Sequence, residues 1–487
     1  MRSNSLPKRR NRGDHIMKAR MTRREALKSV ASAAIGSAAA LSAPGARSRV
    51  QGDASVKRPN IIFILADDLG YGDLGCYGQK MIQTPSIDRM AAEGVRFTDC
   101  YSGHTVCAPS RCSLMTGLHT GHARVRSNAR IPLRPHPQDV TIAEILKAAG
   151  YSTGIVGKWG LGEPDTTGIP NRKGFDEWFG YLNQKHAHNY FPEYLWKNEE
   201  QYVLEGNSGG KKGTYSHNLF TREARDFIRR HQDGPFFLYL AYTIPHANNE
   251  LGRETGNGME IPSDAPYSDE PWPQPQKNHA AMIGRLDRDV GRILALLNEL
   301  GIDENTIVFF TSDNGPHKEG GADPAFFNSW GPLRGYKRDL YEGGIRVPMI
   351  VRWPGETRPG TTSAEPWAFW SFLPTAAELA GATAPSDIDG ISMLPAVLGQ
   401  PQRSHDYLYW EFIHGRAFKQ AVRMGDWKAV RLHLDKPVEL YELSHDIGEK
   451  RNVADQHPHI VAEAEELFKT ARVDSPDFPI PSPEGTG

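Results

Sequence analysis

The chain has 487 residues, 39% of them hydrophobic and 24% charged, with a formal net charge of −1. That length allows one large domain and a smaller companion, each with its own core, and that composition excludes a disordered chain. The near-neutral balance gives no electrostatic basis for binding nucleic acid, and past the N-terminus no apolar run approaches the length of an integral membrane segment.

The first stretch reads differently from the rest. A basic segment leads into Thr22-Arg23-Arg24-Glu25-Ala26-Leu27-Lys28, and an Ala/Ser-rich apolar run then ends in Ala43-Pro44-Gly45-Ala46. Basic, apolar, then small is the pattern of a removable secretory signal. The arginine pair in that setting resembles a twin-arginine signal. Residues 1–55 are therefore set apart as signal and linker, and the chain is expected to be exported to the periplasm or beyond.

The mature part opens on Asn60-Ile61-Ile62-Phe63-Ile64-Leu65, an apolar run that reads as a buried strand and ends in Ala66-Asp67-Asp68. Thr84-Pro85 signals a helix start, with a capping hydroxyl and proline at the first helical position. Further helices are expected at residues 141–149, 218–230, 278–300 and 368–379, and strands at 151–156, 236–241, 307–310 and 347–351. Such alternation implies an α/β fold, a large, mostly parallel sheet sandwiched by helices. From about residue 406 the texture changes. Short strand candidates at 407–411, 420–424, 427–431 and 439–443, then a helix near 460–471, describe a smaller antiparallel sheet packed with one helix. The main domain is placed at 56–390 and the small C-terminal subdomain at 391–487. The long stretch 166–213 and the Pro-rich 260–275 are expected to be loops that shape a cleft.

In an open α/β sheet, ligands bind beyond the carboxyl ends of strands. Two acidic pairs stand at such ends, Asp67-Asp68 and Asp313-Asn314. Adjacent carboxylates with no basic neighbour repel unless a cation neutralises them. Three Asp and one Asn offer mainly oxygen, which suits calcium, or else magnesium. Four cysteines, at 76, 100, 107 and 112, are too few to frame a chain this long. One of them opens Cys107-Ala108-Pro109-Ser110-Arg111-Cys112-Ser113-Leu114-Met115-Thr116-Gly117. Pro109 fits the first turn of a helix, which puts Cys107 at the positive end and Arg111 one turn later, within reach of the same spot.

That eleven-residue run resembles the signature of the type I sulfatases of the alkaline phosphatase superfamily, C-x-P-S-R-x-x-x-L/M-T-G, which directs oxidation of the Cys to formylglycine by a maturation enzyme. The resemblance extends along nearly the whole mature chain. Asn60–Gly72 is similar to the first metal motif, Gly157-Lys158-Trp159-Gly160-Leu161-Gly162 to the second signature, and Ser312-Asp313-Asn314-Gly315 to the second metal motif. Pro245-His246 resembles the site of a catalytic histidine, and Gly335-Tyr336-Lys337 the segment of the last catalytic lysine.

The resemblance implies a sulfatase with Cys107, Arg111, Lys158, His246 and Lys337 as catalytic residues. It implies a calcium ion held by Asp67, Asp68, Cys107, Asp313 and Asn314. Many members carry a histidine where this chain has Gly160, and His104, His186 and His188 are the candidates to fill that gap. His186 and His188, with Tyr190, Tyr194 and Trp196, are also candidates for contacting a sulfated carbohydrate, since aromatic faces stack on sugar rings. Two other readings stay open: a phosphomonoester or phosphonate hydrolase on the same metal core, and a sulfated-glycan-binding relative that has lost turnover.

Overall fold

The structure is a computed structural model that describes residues 58–481; the expected signal at 1–55 lies outside them. Strand β1 (Asn60–Ala66) comes first in the chain and sits near the middle of a ten-stranded sheet, with all seven of its residues buried. Its unbroken apolar character follows from having cover on both faces. Ile62 and Ile64 share a core with Met90, Phe220, Phe227 and Leu286. Ile61, Phe63 and Leu65 share the opposite core with Leu114, Leu146 and Phe372.

The later strands are β2 (Val95–Phe97), β3 (Cys100–Tyr101), β4 (Ser152–Lys158), β5 (Glu177–Tyr181), β6 (Tyr194–Lys197), β7 (Glu200–Val203), β8 (Phe236–Ala241), β9 (Thr306–Ser312), β10 (Met349–Arg352), β11 (Thr361–Ser363) and β12 (Trp367–Ala368). The large sheet runs β11-β2-β10-β9-β1-β8-β4-β5-β6-β7. Its centre, β9-β1-β8-β4-β5, is parallel throughout, while β10, β6 and β7 pair antiparallel towards the edges.

Helices α1 (Pro85–Glu93), α2 (Cys107–Thr116), α3 (Ile142–Ala148), α4 (Ser216–His231), α5 (Asn249–Thr255), α6 (Gln274–Glu299), α7 (Glu342–Ile345), α8 (Phe372–Leu379), α9 (Leu394–Val397) and α10 (Pro458–Thr470) complete the fold. α1, α4 and α6 cover one face, and α2, α3 and α8 the other.

One feature of this topology makes the site. β9, β1, β8 and β4 are parallel neighbours, aligned so that Ala66 pairs with Ser312, Leu65 with Ala241, and Ala241 with Gly157. Their carboxyl ends therefore lie side by side, and Asp67-Asp68, Asp313-Asn314, Lys158 and the turn to His246 leave the sheet at one rim.

Four expectations need correction. Residues 166–213 are not one loop, since β5, β6 and β7 lie within them. β7 is exposed at all four positions, so it carries no apolar pattern. α5 also went unread; it is one short turn-and-a-half with no buried residue. Thr84 precedes α1, but its hydroxyl does not cap the helix; it accepts from Gly75 N at 2.8 Å and donates to Asp88 at 3.1 Å. The expected helix at 368–379 opens as a 3-10 turn before α8.

The C-terminal strands β13 (Leu408–His414), β14 (Ala417–Met424), β15 (Trp427–Arg431) and β16 (Glu439–Glu442) form an antiparallel sheet. α10 packs on one face through Ala464 and Phe468, and the other face meets Tyr101, Tyr341, Ile345 and Trp370. The stretch just past residue 390 stays with the large sheet, whose core includes Met393, Ala396 and Val397. Among the described residues no helix is long and apolar enough to cross a membrane.

Candidate active site

Cys107 is the first residue of α2, with Val106 as its N-cap in extended conformation. No side chain of the cap residue satisfies the helix's first amides; instead Asn128 Oδ1 accepts from Ala108 N at 3.0 Å. The Cys107 thiol thus stands at the positive end of the helix dipole. Its Sγ donates to Asp67 Oδ1 at 3.3 Å. Burial and then the Asp67 charge push this thiol well above its ordinary pKa. As a plain cysteine it is neutral at pH 7, which is the unreactive form.

Around it the charges interlock. Lys158 Nζ donates to Asp67 Oδ2 at 2.6 Å. Arg111 holds Asp313 Oδ2 through Nε at 3.1 Å and Nη2 at 2.8 Å, lies 3.4 Å from Asp67, and donates to Lys158 O at 2.6 Å. Lys337 Nζ spends its three protons on Asp68 Oδ2 at 2.8 Å, Glu319 Oε2 at 3.1 Å and His246 Nε2 at 3.2 Å. The acidic pairs therefore do have basic neighbours, contrary to the premise on which a cation was first inferred. Loop residues far along the chain supply them, so sequence adjacency could not show it.

Whether the residues fit a cation rests instead on what stays unpaired. Asn314 donates through Nδ2 to Asp68 Oδ1 at 2.7 Å, and its Oδ1 is buried without a partner. Asp313 Oδ1 accepts only the Asp68 amide, at 3.1 Å, and burial followed by the Asp67 charge pushes its carboxyl up to about 7. Asp68 itself sits in the left-handed region at φ +65°, a conformation uncommon for residues other than glycine and, when held by its surroundings, over-represented at functional sites. An orphaned amide oxygen, a carboxyl that resists ionisation and two further carboxylates offer hard oxygen ligands, and they fit a cation such as calcium or magnesium. Asp67, Asp68, Cys107 and His246 each offer a ligand atom here, all within 4.8 Å of one another.

His246 is fixed in one tautomer by its neighbours. Its Nδ1 donates to Ala247 O at 2.7 Å, which leaves Nε2 as the acceptor facing Lys337. Burial, then the Lys337 charge, lowers its pKa to about 3. The proton between the two belongs to Lys337, whose own pKa is raised despite burial by Asp68 and other anions. Glu319 steadies that lysine, and His317 Nε2 donates to Pro245 O at 3.1 Å, pinning the turn that carries His246. Glu319, His317 and Asn128 were not picked out from the sequence. Glu319 and His317 follow directly after the Asp313-Asn314 motif, which is the one signal that could have found them.

The three histidines considered for the gap at Gly160 lie in different surroundings. His104 faces Phe412 at 5.7 Å and accepts from Val106 N. His186 packs on Tyr181 and Tyr194, 5.0 and 4.5 Å away. His188 stacks on His246 at 5.0 Å and pairs with Glu250 at 2.9 Å. A cavity of about 610 Å³ opens there, lined by His186, Tyr194, Lys185, Lys211, Arg130 and Glu250. A second cavity, of about 630 Å³, lies by His119 and Asp389 beyond the far end of α2 and holds none of the residues above. His119, His122 and Asp389 are close enough to hold a metal. However, His119 Nδ1 accepts the Gly121 amide hydrogen, so in neutral His119 the remaining nitrogen carries the hydrogen and is no ligand.

Comparison with known proteins agrees with this geometry. The Sulfatase family profile matches residues 59–382, and that of the N-sulphoglucosamine sulphohydrolase C-terminal region matches 335–473. N-acetylgalactosamine-6-sulfatase of Canis lupus familiaris is 36% identical over 76% of this chain and 71% of its own length. N-acetylgalactosamine-6-O-sulfatase of Bacteroides thetaiotaomicron is 31% identical over 88% of this chain and 96% of its own. The crystal structure of Ps i-CgsB with k-i-k-neocarrahexaose superposes with a TM-score of 0.74 at 30% identity, covering 88% of this chain and 94% of that one. With a buried cysteine at a helix N-terminus, lysines and an arginine around it, and these relatives along most of its length, the chain belongs to the sulfatase family and is a sulfuric ester hydrolase.

Proposed function

We propose that the protein is an exported sulfatase that cleaves sulfate esters on a sulfated polysaccharide or glycosaminoglycan fragment, with formylglycine at position 107 and a bound calcium ion. The observation that carries this reading is Cys107 Sγ standing 3.3 Å from Asp67 inside a ring of Arg111, Lys158 and Lys337. Those cations suit the oxygens of a sulfate group, while the buried neutral thiol has neither the charge nor the second functional group that turnover requires. Hydrated formylglycine carries two hydroxyls on one carbon, one to attack sulfur and one to expel sulfate by re-forming the aldehyde.

The rest falls to this chain's own side chains. Lys158 holds a sulfate oxygen, Lys337 turns one of its three N–H groups from its present partners to hold another, and Arg111 keeps Asp67 and Asp313 in place. As the bond from sulfur to the leaving alcohol breaks, the Lys337–His246 pair delivers a proton to that oxygen, with Nε2 as the atom through which it passes. Asp67, Asp68, Asp313 and the orphaned Asn314 oxygen would hold the calcium, which offsets carboxylate charge and polarises the attacking group. Magnesium suits the same oxygens less well where the ligand geometry is irregular.

Support for a carbohydrate comes from the cavity next to the site. Glu250 joins it to His188 and so to His246, and Lys185, Lys211 and Arg130 give it a basic side while Tyr194 and Phe191 give it ring faces. Basic groups attract a polyanion. The N-acetylgalactosamine-6-sulfatases and the neocarrahexaose-bound structure among the similar proteins support the same reading. The N-terminal basic, apolar and small-residue pattern supports export.

The test is the mass of tryptic peptide 97–111 from protein made beside a maturation enzyme. A lighter peptide that reacts with carbonyl reagents, together with faster release of sulfate than of phosphate from matched esters, is the expected result. A plain thiol in a competent host overturns the nucleophile. Faster phosphate release moves the activity to the phosphoesterases. Activity lost to a chelator and restored better by calcium than by magnesium identifies the ion.

A further inference from the structure

Gln184 lies in the loop after β5, and neither its Nε2 nor its Oε1 has a hydrogen-bond partner although both atoms are buried. A primary amide offers two donors and two acceptor lone pairs. Leaving all of them unused in an interior is uncommon and calls for a reason. The reason lies in where the amide points.

A Cβ placed on Gly160 would stand 2.1 Å from Gln184 Nε2 and 3.9 Å from Ala108 Cβ. The amide therefore fills the space that any side chain at 160 would need, beside the residue that follows Cys107. Gly160 has φ +85°, which favours glycine, and its amide donates to Leu182 O at 3.0 Å, binding the Gln184 loop to the end of β4. Lys158 is committed to Asp67, Arg111 to Asp313 and Asn128 to the Ala108 amide. Gln184 brings both amide atoms to the Gly160 side of α2 with their hydrogen bonds unspent.

We infer that Gln184 is a positioning residue for the group at 107. Its amide hydrogen-bonds the hydroxyl of hydrated formylglycine that does not attack sulfur, and so orients that hydroxyl for expelling sulfate. This rests on the nucleophile proposed above. An amide neither gains nor loses a proton in the working pH range, so this position orients without titrating.

Gln184→Met tests it, since methionine keeps the shape of glutamine and removes its polar atoms. Wild type and variant are prepared in two forms, with Cys107 unconverted and with the aldehyde confirmed by mass. In the converted form kcat falls roughly 10²-fold, the usual effect of losing one preorganised hydrogen bond. KM changes little, and peptide 97–111 carrying sulfate accumulates in quenched turnover mixtures. The substitution leaves Tm unchanged or higher in the unconverted form, where the amide has no partner, and lowers it in the converted form. A second variant, Gln184→His, recovers part of kcat and adds an acid limb to the kcat–pH profile. A kcat within twofold of wild type, or the same change of Tm in both forms, overturns the inference while leaving the nucleophile standing. Wild type that bears the aldehyde yet releases no sulfate sinks both.

Discussion

Lys337 makes three contacts with three different jobs. Asp68 ties it to the oxygen cluster, Glu319 holds it from the outer side, and His246 Nε2 receives its third proton. A relay of this kind matters most when the departing oxygen is a poor leaving group. His246→Ala should therefore lower kcat roughly 10²–10⁴-fold on an alkyl sulfate and much less on an activated aryl sulfate. Rates for a series of leaving groups measure this, and an equal loss along the series would remove His246 from proton transfer. A separate prediction concerns Asp73, whose carboxyl burial pushes up to about 7 against about 3.9 in an unfolded chain. Between those values the unfolded chain has already lost the proton that the fold retains, so stability falls as pH rises. Asp73→Asn should give a shallower decline of Tm from acid to neutral pH. An unchanged slope would mean that the fold carries Asp73 ionised.

Among elements, α2 carries the proposed nucleophile and depends on a loop residue for its first turn. Asn128→Ala frees the Ala108 amide beside Cys107, so it should cost kcat at least tenfold while moving stability by only about 1 kcal/mol. Thr141 is the contrasting case. It forms a capping box with Glu144 and also bonds Lys173 O, far from the chemistry. Thr141→Ala should cost about 1 kcal/mol in urea unfolding and leave kcat alone. The same contrast explains what could be read from the chain. β1, β8 and β9 are buried on both faces, so their apolar runs are unambiguous. β6 and the edge strand β7 are short and partly or wholly exposed, and no local pattern dictates their pairing. In the site, Asp67, Asp68, Cys107, Arg111, Lys158, Asp313 and Lys337 stand in recognisable runs. Gln184, Asn128 and Glu319 are single polar residues in loops, and only the tertiary fold gives them neighbours.

For the molecule as a whole, the small sheet braces the rim of the site. Lys428 of β15 donates to Glu342 of α7 at 2.8 Å, with both side chains fully buried, and Arg346 and Tyr101 bond the same carboxylate. Glu342 lies five residues past Lys337, and Glu449 anchors its amide at 2.7 Å. Lys428→Met should destabilise the protein by about 3–5 kcal/mol, because it strands a buried charge. Urea unfolding measures this, and a loss below 1 kcal/mol would show that Arg346 alone suffices to compensate Glu342.

β1 is the first of the described strands to be synthesised and yet pairs with β8 and β9, the second of which ends at Ser312. At ordinary rates of synthesis it waits roughly tens of seconds for those partners. Through that interval the segment holding Cys107 has no finished sheet to close over it; afterwards the thiol is only 1% exposed. If the proposed conversion of Cys107 is enzymatic, the converting enzyme is therefore racing a clock. Anything that hastens closure of the sheet, a warmer culture or a stabilised core among them, should leave a larger share of the chains permanently unconverted.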